Sequence, residues 1–182
     1  MKKILSIAAL LVMVCTVGYG VIGTTKAPLS PKQENREQRQ QRRAARQAAY
    51  EKEIDSLVMS QTFQFKPTTM QQELSTGPMK TLSNPNFEVG IWNGSVDVFL
   101  PYIKGYVPPY HYTLLNYTLP SVDNYVSEQT DGGWRVSFES SLFSAGTYTF
   151  IFEISSRYGT TTLTIKNPWY NAVQYSGSIT QF

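Results

Sequence analysis

The residues that could perform acid-base or nucleophilic chemistry are few in this chain of 182 residues. It contains a single histidine, His111, and histidine is the side chain that changes charge most readily near neutral pH. His111 lies in the segment YHYTLLNYTL, where apolar residues occur on both faces. No G-x-S-x-G motif or comparable nucleophile motif accompanies it. We therefore expect a structural or surface histidine.

Two carboxylates held at a set separation could hydrolyse a glycosidic bond. Asp97 and Glu139, however, alternate with apolar neighbours, as solvent-facing strand residues do. We therefore predict that the protein is not an enzyme and has no catalytic residues. A hydrolase that uses carboxylates or His111 is kept as an alternative. The available carboxylates are Glu88, Asp97, Asp123, Asp131, Glu139 and Glu153.

Composition excludes the common metal and thiol sites. One histidine and one cysteine cannot supply the three or four ligands of a typical zinc or copper site. They also cannot form a disulfide framework or an iron–sulfur cluster. We predict no metal and no cofactor.

Tyrosine is the residue type that stands out. Six of the 12 tyrosines lie between positions 102 and 125, interleaved with prolines. Rigid rings on proline-fixed loops could form a platform for sugar rings or an extended peptide. Tyrosine is also a favoured strand residue that pairs across strands, so a purely structural role stays open. The predicted ligand platform consists of Tyr102, Tyr106, Tyr110, Tyr112, Tyr117 and Tyr125.

The N-terminal segment predicts export. Two lysines precede an apolar run from Ile4 to Val17, and small residues follow, which is the order of a signal peptide. We assign residues 1–23 to this signal; an uncleaved membrane anchor is the alternative, since the segment is just long enough to span a bilayer. Its removal takes away the only cysteine and two positive charges, so the formal net charge falls from +3 to +1.

Residues 24–57 are predicted to form a linker and a basic helix. The stretch from Pro31 to about Val58 is rich in Gln, Arg, Ala and Glu and has no glycine or interior proline. Apolar residues occur only in its second half, so the first half should project into solvent. We interpret the arginines there as part of a solvated tether, with contact to anionic lipid or polysaccharide as the alternative. These arginines are Arg36, Arg39, Arg42, Arg43 and Arg46.

Residues 58–182 are predicted to form a single antiparallel β domain. Asn93-Gly94 separates FEVGIW from SVDVFL, a strong hairpin signal because a type I′ turn needs positive φ at both central residues. Similar turn residues follow at 131–133 and 156–159. We expect a mainly β fold with one N-terminal helix and an antiparallel meander of about eight or nine strands, closed as a barrel or folded as a sandwich. Residues 67–85 are the least regular part.

The last strand argues against a barrel in the membrane. Counting back by two from Phe182 gives only polar residues, whereas Tyr175 and Ile179 have the opposite parity. The strand therefore lacks the apolar lipid-facing row that such a barrel needs. We predict no integral membrane span after signal cleavage.

A set of ordered motifs resembles a known family. VDVFLPY at 96–102 is followed by Gly105-Tyr106, by YTF at 148–150 and by YSG at 175–177. This order, behind a signal peptide and an Arg/Ala/Gln-rich helix, resembles the DUF4251 family, a domain of unknown function found in small exported proteins of Bacteroidetes. Many members place a Gly-Arg pair soon after L-P-Y, where this chain has Lys104-Gly105 instead. The resemblance implies the fold order and location, and no activity.

These observations predict an exported β domain, periplasmic or associated with the cell envelope, that binds without catalysis. Carbohydrate and extended peptide are the partner classes considered. No recognised nucleic-acid module follows the basic helix, so no nucleic-acid partner is predicted. A soluble barrel that carries a small apolar ligand is an alternative function and would require a hollow interior.

Overall fold

A computed structural model describes residues 30–72, 79–105, 111–141 and 146–182. One helix precedes ten strands, so the predicted order of a helix and then an antiparallel sheet is confirmed. The predicted signal peptide lies outside the described residues. The elements are α1 (Pro31–Met59), β1 (Thr62–Gln72), β2 (Lys80–Thr81), β3 (Glu88–Trp92), β4 (Ser95–Lys104), β5 (His111–Leu119), β6 (Asp123–Thr130), β7 (Gly133–Ser141), β8 (Thr147–Ser155), β9 (Thr160–Asn167) and β10 (Tyr170–Thr180).

All ten strands belong to one antiparallel sheet. Nine of them follow the order β5-β4-β3-β1-β10-β9-β8-β7-β6, and the short β2 pairs only with β1. The sequence predicts either a barrel or a sandwich. The single curled sheet observed here corresponds to the barrel rather than the sandwich. It is a half-barrel, since β5 and β6 do not pair with each other.

A short connection explains why the sheet curls. β5 and β6 lie at opposite edges, and nine flat strands would place those edges roughly 38 Å apart at about 4.8 Å per strand. Only residues 120–122 join Leu119 to Asp123. Three residues reach at most about 14 Å, so the two edges must come together at this corner. The amide of Val122 donates to the carbonyl oxygen of Gly94 (3.1 Å), which fixes the corner against the β3–β4 turn.

Aromatic rings fill the interior of the half-barrel. Phe152 is fully buried, and its ring centroid lies 5.9 Å from that of Phe63 and 5.7 Å from that of Phe65, two residues of β1. Phe138 stacks on Phe150 at 5.0 Å. Phe152 of β8 and the two rings of β1 come from strands that do not pair, so these rings meet across the interior. The described interior is therefore packed, and the apolar-carrier alternative finds no support in it.

The helix docks through its second half. Ile54 and Val58 are buried against the sheet, as the sequence pattern predicts. Asp55 accepts hydrogen bonds from Trp134 Nε1 (2.7 Å) and Ser156 Oγ (2.7 Å) with the same Oδ1 atom. These contacts fix α1 across the end of the sheet that carries the β6–β7 and β8–β9 turns.

β1 extends into the segment predicted to be irregular. Residues 67–85 are predicted to be the least regular part of the chain, yet β1 includes residues 67–72. The strand continues to Gln72 because Pro67 lies at an irregularity of the β1–β10 register, between Pro67 and Thr69. On the other side of β1, pairing with β3 ends at Phe65 and pairing with β2 begins at Thr69, so no ladder partner stands opposite the proline there.

Candidate functional site

The predicted tyrosine platform divides between two faces. Tyr102 is fully buried, whereas Tyr112 is 53% exposed on the outer face of β5. Tyr117 is half-buried and points inward, and Tyr125 is half-buried and stacks on Phe138 at 6.2 Å. The four described rings therefore do not share one exposed surface. Tyr106 and Tyr110 lie outside the described residues.

The inward tyrosines instead join an interior cluster. Tyr102 packs edge-on against Tyr148 at 5.8 Å, and the hydroxyl of Tyr175 donates to the carbonyl oxygen of Pro101 (2.6 Å). Burial raises the pKa of the Tyr117 hydroxyl, with Ser140 opposing the rise. Burial also raises the pKa of Tyr148, Tyr175 and Tyr125, the last to about 12. These phenols therefore stay neutral at physiological pH and can donate or accept hydrogen bonds but cannot act as bases.

This cluster is closed to solvent. The hydroxyl oxygens of Tyr117 and Tyr125 and the Oγ of Ser140 are buried and have no hydrogen-bond partner of ordinary geometry among the described residues. A ligand would have to open the half-barrel to reach them. The interior tyrosines are therefore better explained as core residues than as a preformed binding site.

Two of the candidate carboxylates stand opposite each other, whereas His111 lies on a different strand. His111 is exposed at the start of β5, opposite Lys104. Asp123 stands opposite Glu139 in the β6–β7 register, and the Glu139 carboxylate accepts a hydrogen bond from Asn124 Nδ2 (2.8 Å). Within the described ranges, no group of three or more His, Cys, Asp or Glu side chains is arranged to hold a metal ion. No helix in the part of the chain described here is long and apolar enough to cross a membrane.

An accessible groove lies on the outer face of the sheet. It has a volume of about 720 Å³, within the usual range for ligand sites. Its floor follows a row of directly opposed residues that crosses four strands from β7 to β10. The row is Arg135, Glu153, Thr162 and Ser176, all of which line the groove.

Hydroxyl groups dominate the lining of this groove. Thr68 lies at the irregularity of β1, where its Oγ1 donates to the carbonyl oxygen of Ser176 (3.0 Å). Bulges of this kind re-aim a side chain next to a site. Threonine and serine hydroxyls both donate and accept hydrogen bonds. The seven lining hydroxyl residues are Thr68, Thr130, Ser155, Thr160, Thr161, Thr162 and Ser176.

Two residues of opposite charge, Arg135 and Glu153, also line the groove. Arg135 stands between Glu128 on β6 and Glu153 on β8 in register. None of the described residues forms an ion pair with Arg135, so its guanidinium is available to a ligand. Trp134 also lines the groove, but its ring packs against the core and donates a hydrogen bond to Asp55 of the docked helix.

A second exposed surface carries two aromatic rings. Trp92 is 67% exposed and Phe182 is 57% exposed, and their centroids lie 5.9 Å apart. Phe182 lies over Gly90, where a Cβ atom would come within 3.0 Å of the ring. The absence of a side chain at Gly90 therefore lets this ring rest on β3.

Comparison with known proteins assigns the family. The model of DUF4251, a domain of unknown function, matches residues 45–179. The chain belongs to the DUF4251 family. The resemblance inferred from the L-P-Y and Y-x-G motifs is thereby confirmed, and no curated protein matches the chain.

A solved structure shows the same fold. It is the crystal structure of a DUF4251 family protein from Bacteroides eggerthii, with a TM-score of 0.57 and 16% sequence identity. The match covers 74% of this chain and 91% of that chain. At this identity the likeness concerns the fold of the DUF4251 domain and carries no activity.

Sequence reasoning did not identify the groove residues of this DUF4251 domain. The signal was nevertheless present, because Thr160, Thr162 and Thr164 alternate with the buried residues of β9. Outward hydroxyl residues on neighbouring strands are the pattern that would have indicated this surface.

Proposed function

We propose that this DUF4251 domain is an exported, non-catalytic binding module that holds a carbohydrate chain in its outer groove. The observation that carries the proposal is the groove of about 720 Å³ lined by seven hydroxyl residues together with Arg135 and Glu153. Such a lining matches a hydroxyl-rich ligand, because each sugar hydroxyl can both donate and accept hydrogen bonds, as the lining hydroxyl groups can. Export rests on the predicted signal peptide.

The sheet around the groove favours carbohydrate over an extended peptide. A peptide that binds to a sheet usually adds a strand to a free edge. β8, β9 and β10 each pair on both sides, so the backbone along the centre of the groove is already hydrogen-bonded. Recognition must therefore come from side chains, which suits a sugar chain.

A matched pair of variants tests the site. Thr162 and Thr164 are both half-buried outward residues of β9, but only Thr162 lines the groove. We expect Thr162→Val to weaken binding about three- to tenfold, the usual effect of one lost hydrogen bond, and Thr164→Val to leave it unchanged. Arg135→Ala should weaken binding by tenfold or more, because hydrogen bonds to charged groups are stronger.

The measurement begins with an oligosaccharide array and continues by calorimetry on the best ligand. Equal affinities for the Thr162→Val and Thr164→Val proteins would refute the assignment of the groove. Product analysis after incubation tests the hydrolase alternative, since we expect the oligosaccharide to stay intact. Shortened products that disappear in the Glu153→Gln protein would contradict the non-catalytic role.

A further inference from the structure

The exposed half of α1 carries its cations on one side. At 100° per residue, the six basic residues of this half fall within an arc of about 120° around the helix axis. Glu34 and Glu37 lie about 80° or more outside that arc. The basic stripe, as we name this set, consists of Lys32, Arg36, Arg39, Arg42, Arg43 and Arg46.

The basic stripe is free of the protein body. All six of its side chains are exposed, and none forms an ion pair with any of the described residues. Contact between helix and body begins after the stripe, where the Gln47 side chain donates to the carbonyl oxygen of Arg157. From Lys32 to Arg46 the stripe is about 21 Å long, at 1.5 Å per residue. These cations are therefore available to an external partner.

The shape of the stripe favours a flat surface. Because the cations form a straight row within a narrow arc, all of them can contact one flat surface at the same time, as the polar side of a helix on a membrane does. The same helix half has only Ala44 and Ala45 as apolar residues, so it lacks the apolar face that inserts into acyl chains. The contact it can make is electrostatic, to lipid head groups.

The chain before the helix supports the same partner. The apolar run predicted from sequence ends at Val17, and twelve residues separate it from the N-cap Ser30. These residues reach at most about 42 Å. In the uncleaved-anchor alternative, a bilayer that holds the apolar run lies within reach of the basic stripe.

We propose that the basic stripe binds the surface of an anionic membrane and holds the β domain beside it. The stripe and the groove lie on different elements, so this contact would leave the groove open to a ligand. The proposal is independent of the carbohydrate proposal, since neither surface includes a residue of the other.

The test uses residues 24–182, the chain predicted to remain after signal cleavage, and two triple variants of equal charge. Arg36→Gln, Arg39→Gln and Arg43→Gln together remove three charges from the stripe and keep residues that favour a helix. The control removes three exposed lysines elsewhere, by Lys52→Gln, Lys66→Gln and Lys166→Gln. Circular dichroism verifies that both variants keep the helix. Binding is measured by co-sedimentation with vesicles of 30% phosphatidylglycerol in phosphatidylcholine, and with neutral phosphatidylcholine vesicles as the baseline.

We expect the stripe variant to bind anionic vesicles about 100-fold more weakly than the wild type, at roughly fivefold per cation. The lysine control should bind within about threefold of the wild type, and added salt should weaken wild-type binding. Equal binding of the two triple variants, or equal wild-type binding to neutral and anionic vesicles, would overturn the proposal. A stripe variant that loses affinity for soluble polygalacturonate but not for vesicles would assign the stripe to polysaccharide and overturn the membrane assignment.

Discussion

Truncation of Phe152 tests whether the half-barrel is packed or hollow. The ring of Phe152 is 0% exposed and contacts Phe63, Phe65 and Phe138 at centroid distances of 5.9, 5.7 and 6.0 Å. Core Phe→Ala substitutions cost about 3–5 kcal/mol, and each aromatic contact contributes about 0.5–1.5 kcal/mol of this. With three ring partners, Phe152→Ala should lower the free energy of unfolding by about 4–5 kcal/mol.

The control is a phenylalanine outside the interior. Phe99 is half-buried on the outer face of β4, and its ring contacts Phe87 at 5.4 Å. Phe99→Ala should cost only about 1–2 kcal/mol, because it removes one aromatic contact and little buried area. The two variants should therefore differ by about 3 kcal/mol.

Urea unfolding followed by circular dichroism measures both free energies. At a slope of about 2 kcal/mol per molar urea, Phe152→Ala should shift the midpoint by about 2 M. If that variant does not fold, Phe152→Leu gives the same comparison with a smaller loss, about 1–2 kcal/mol. A Phe152→Ala cost below about 1.5 kcal/mol would contradict the packed interior and restore the apolar-carrier alternative.

Two further predictions concern the docked helix and pH. Asp55→Ala should lower the free energy of unfolding by about 2 kcal/mol, because Trp134 Nε1 and Ser156 Oγ both lose their acceptor. Asp55→Asn keeps an acceptor oxygen and should cost less. Urea unfolding measures both losses, and equal losses would contradict the role of Asp55 as the acceptor. Burial raises the pKa of Tyr125 to about 12, so the folded state keeps a proton that the unfolded state releases near pH 10. The contribution of Tyr125 to the free energy of unfolding should therefore be complete below pH 10 and fall between pH 10 and 12. Tyr125→Phe should reduce that fall, which urea titrations at several pH values measure. An unchanged pH dependence in the variant would refute the role of the Tyr125 hydroxyl.

Local chemistry explains what the sequence could predict. The Asn93-Gly94 turn has positive φ at both residues, 49° and 87°. Only a few residue types adopt such φ values readily, so these two adjacent residues are enough to predict the hairpin. The helix is equally local, because its composition and the position of Ile54 define its length and its buried face. Features of this kind need no knowledge of distant residues.

Non-local pairing explains what the sequence could not predict. Residues far apart in sequence form the groove, since Arg135, Thr162 and Ser176 share one row only through the register of β7 to β10. The platform prediction grouped tyrosines by their nearness in sequence. Strand alternation placed Tyr112 on the outer face and Tyr117 on the inner face of the same strand, so nearness did not mean a shared surface.

Ligand mapping by nuclear magnetic resonance tests the central claim of a carbohydrate site in the groove most directly. Amide spectra of the labelled protein are recorded as the best oligosaccharide from the array is added. We predict that the largest shifts occur at Glu153, Thr162 and Ser176. Shifts confined to the exposed Trp92–Phe182 pair, or no shifts with any oligosaccharide of the array, would contradict it.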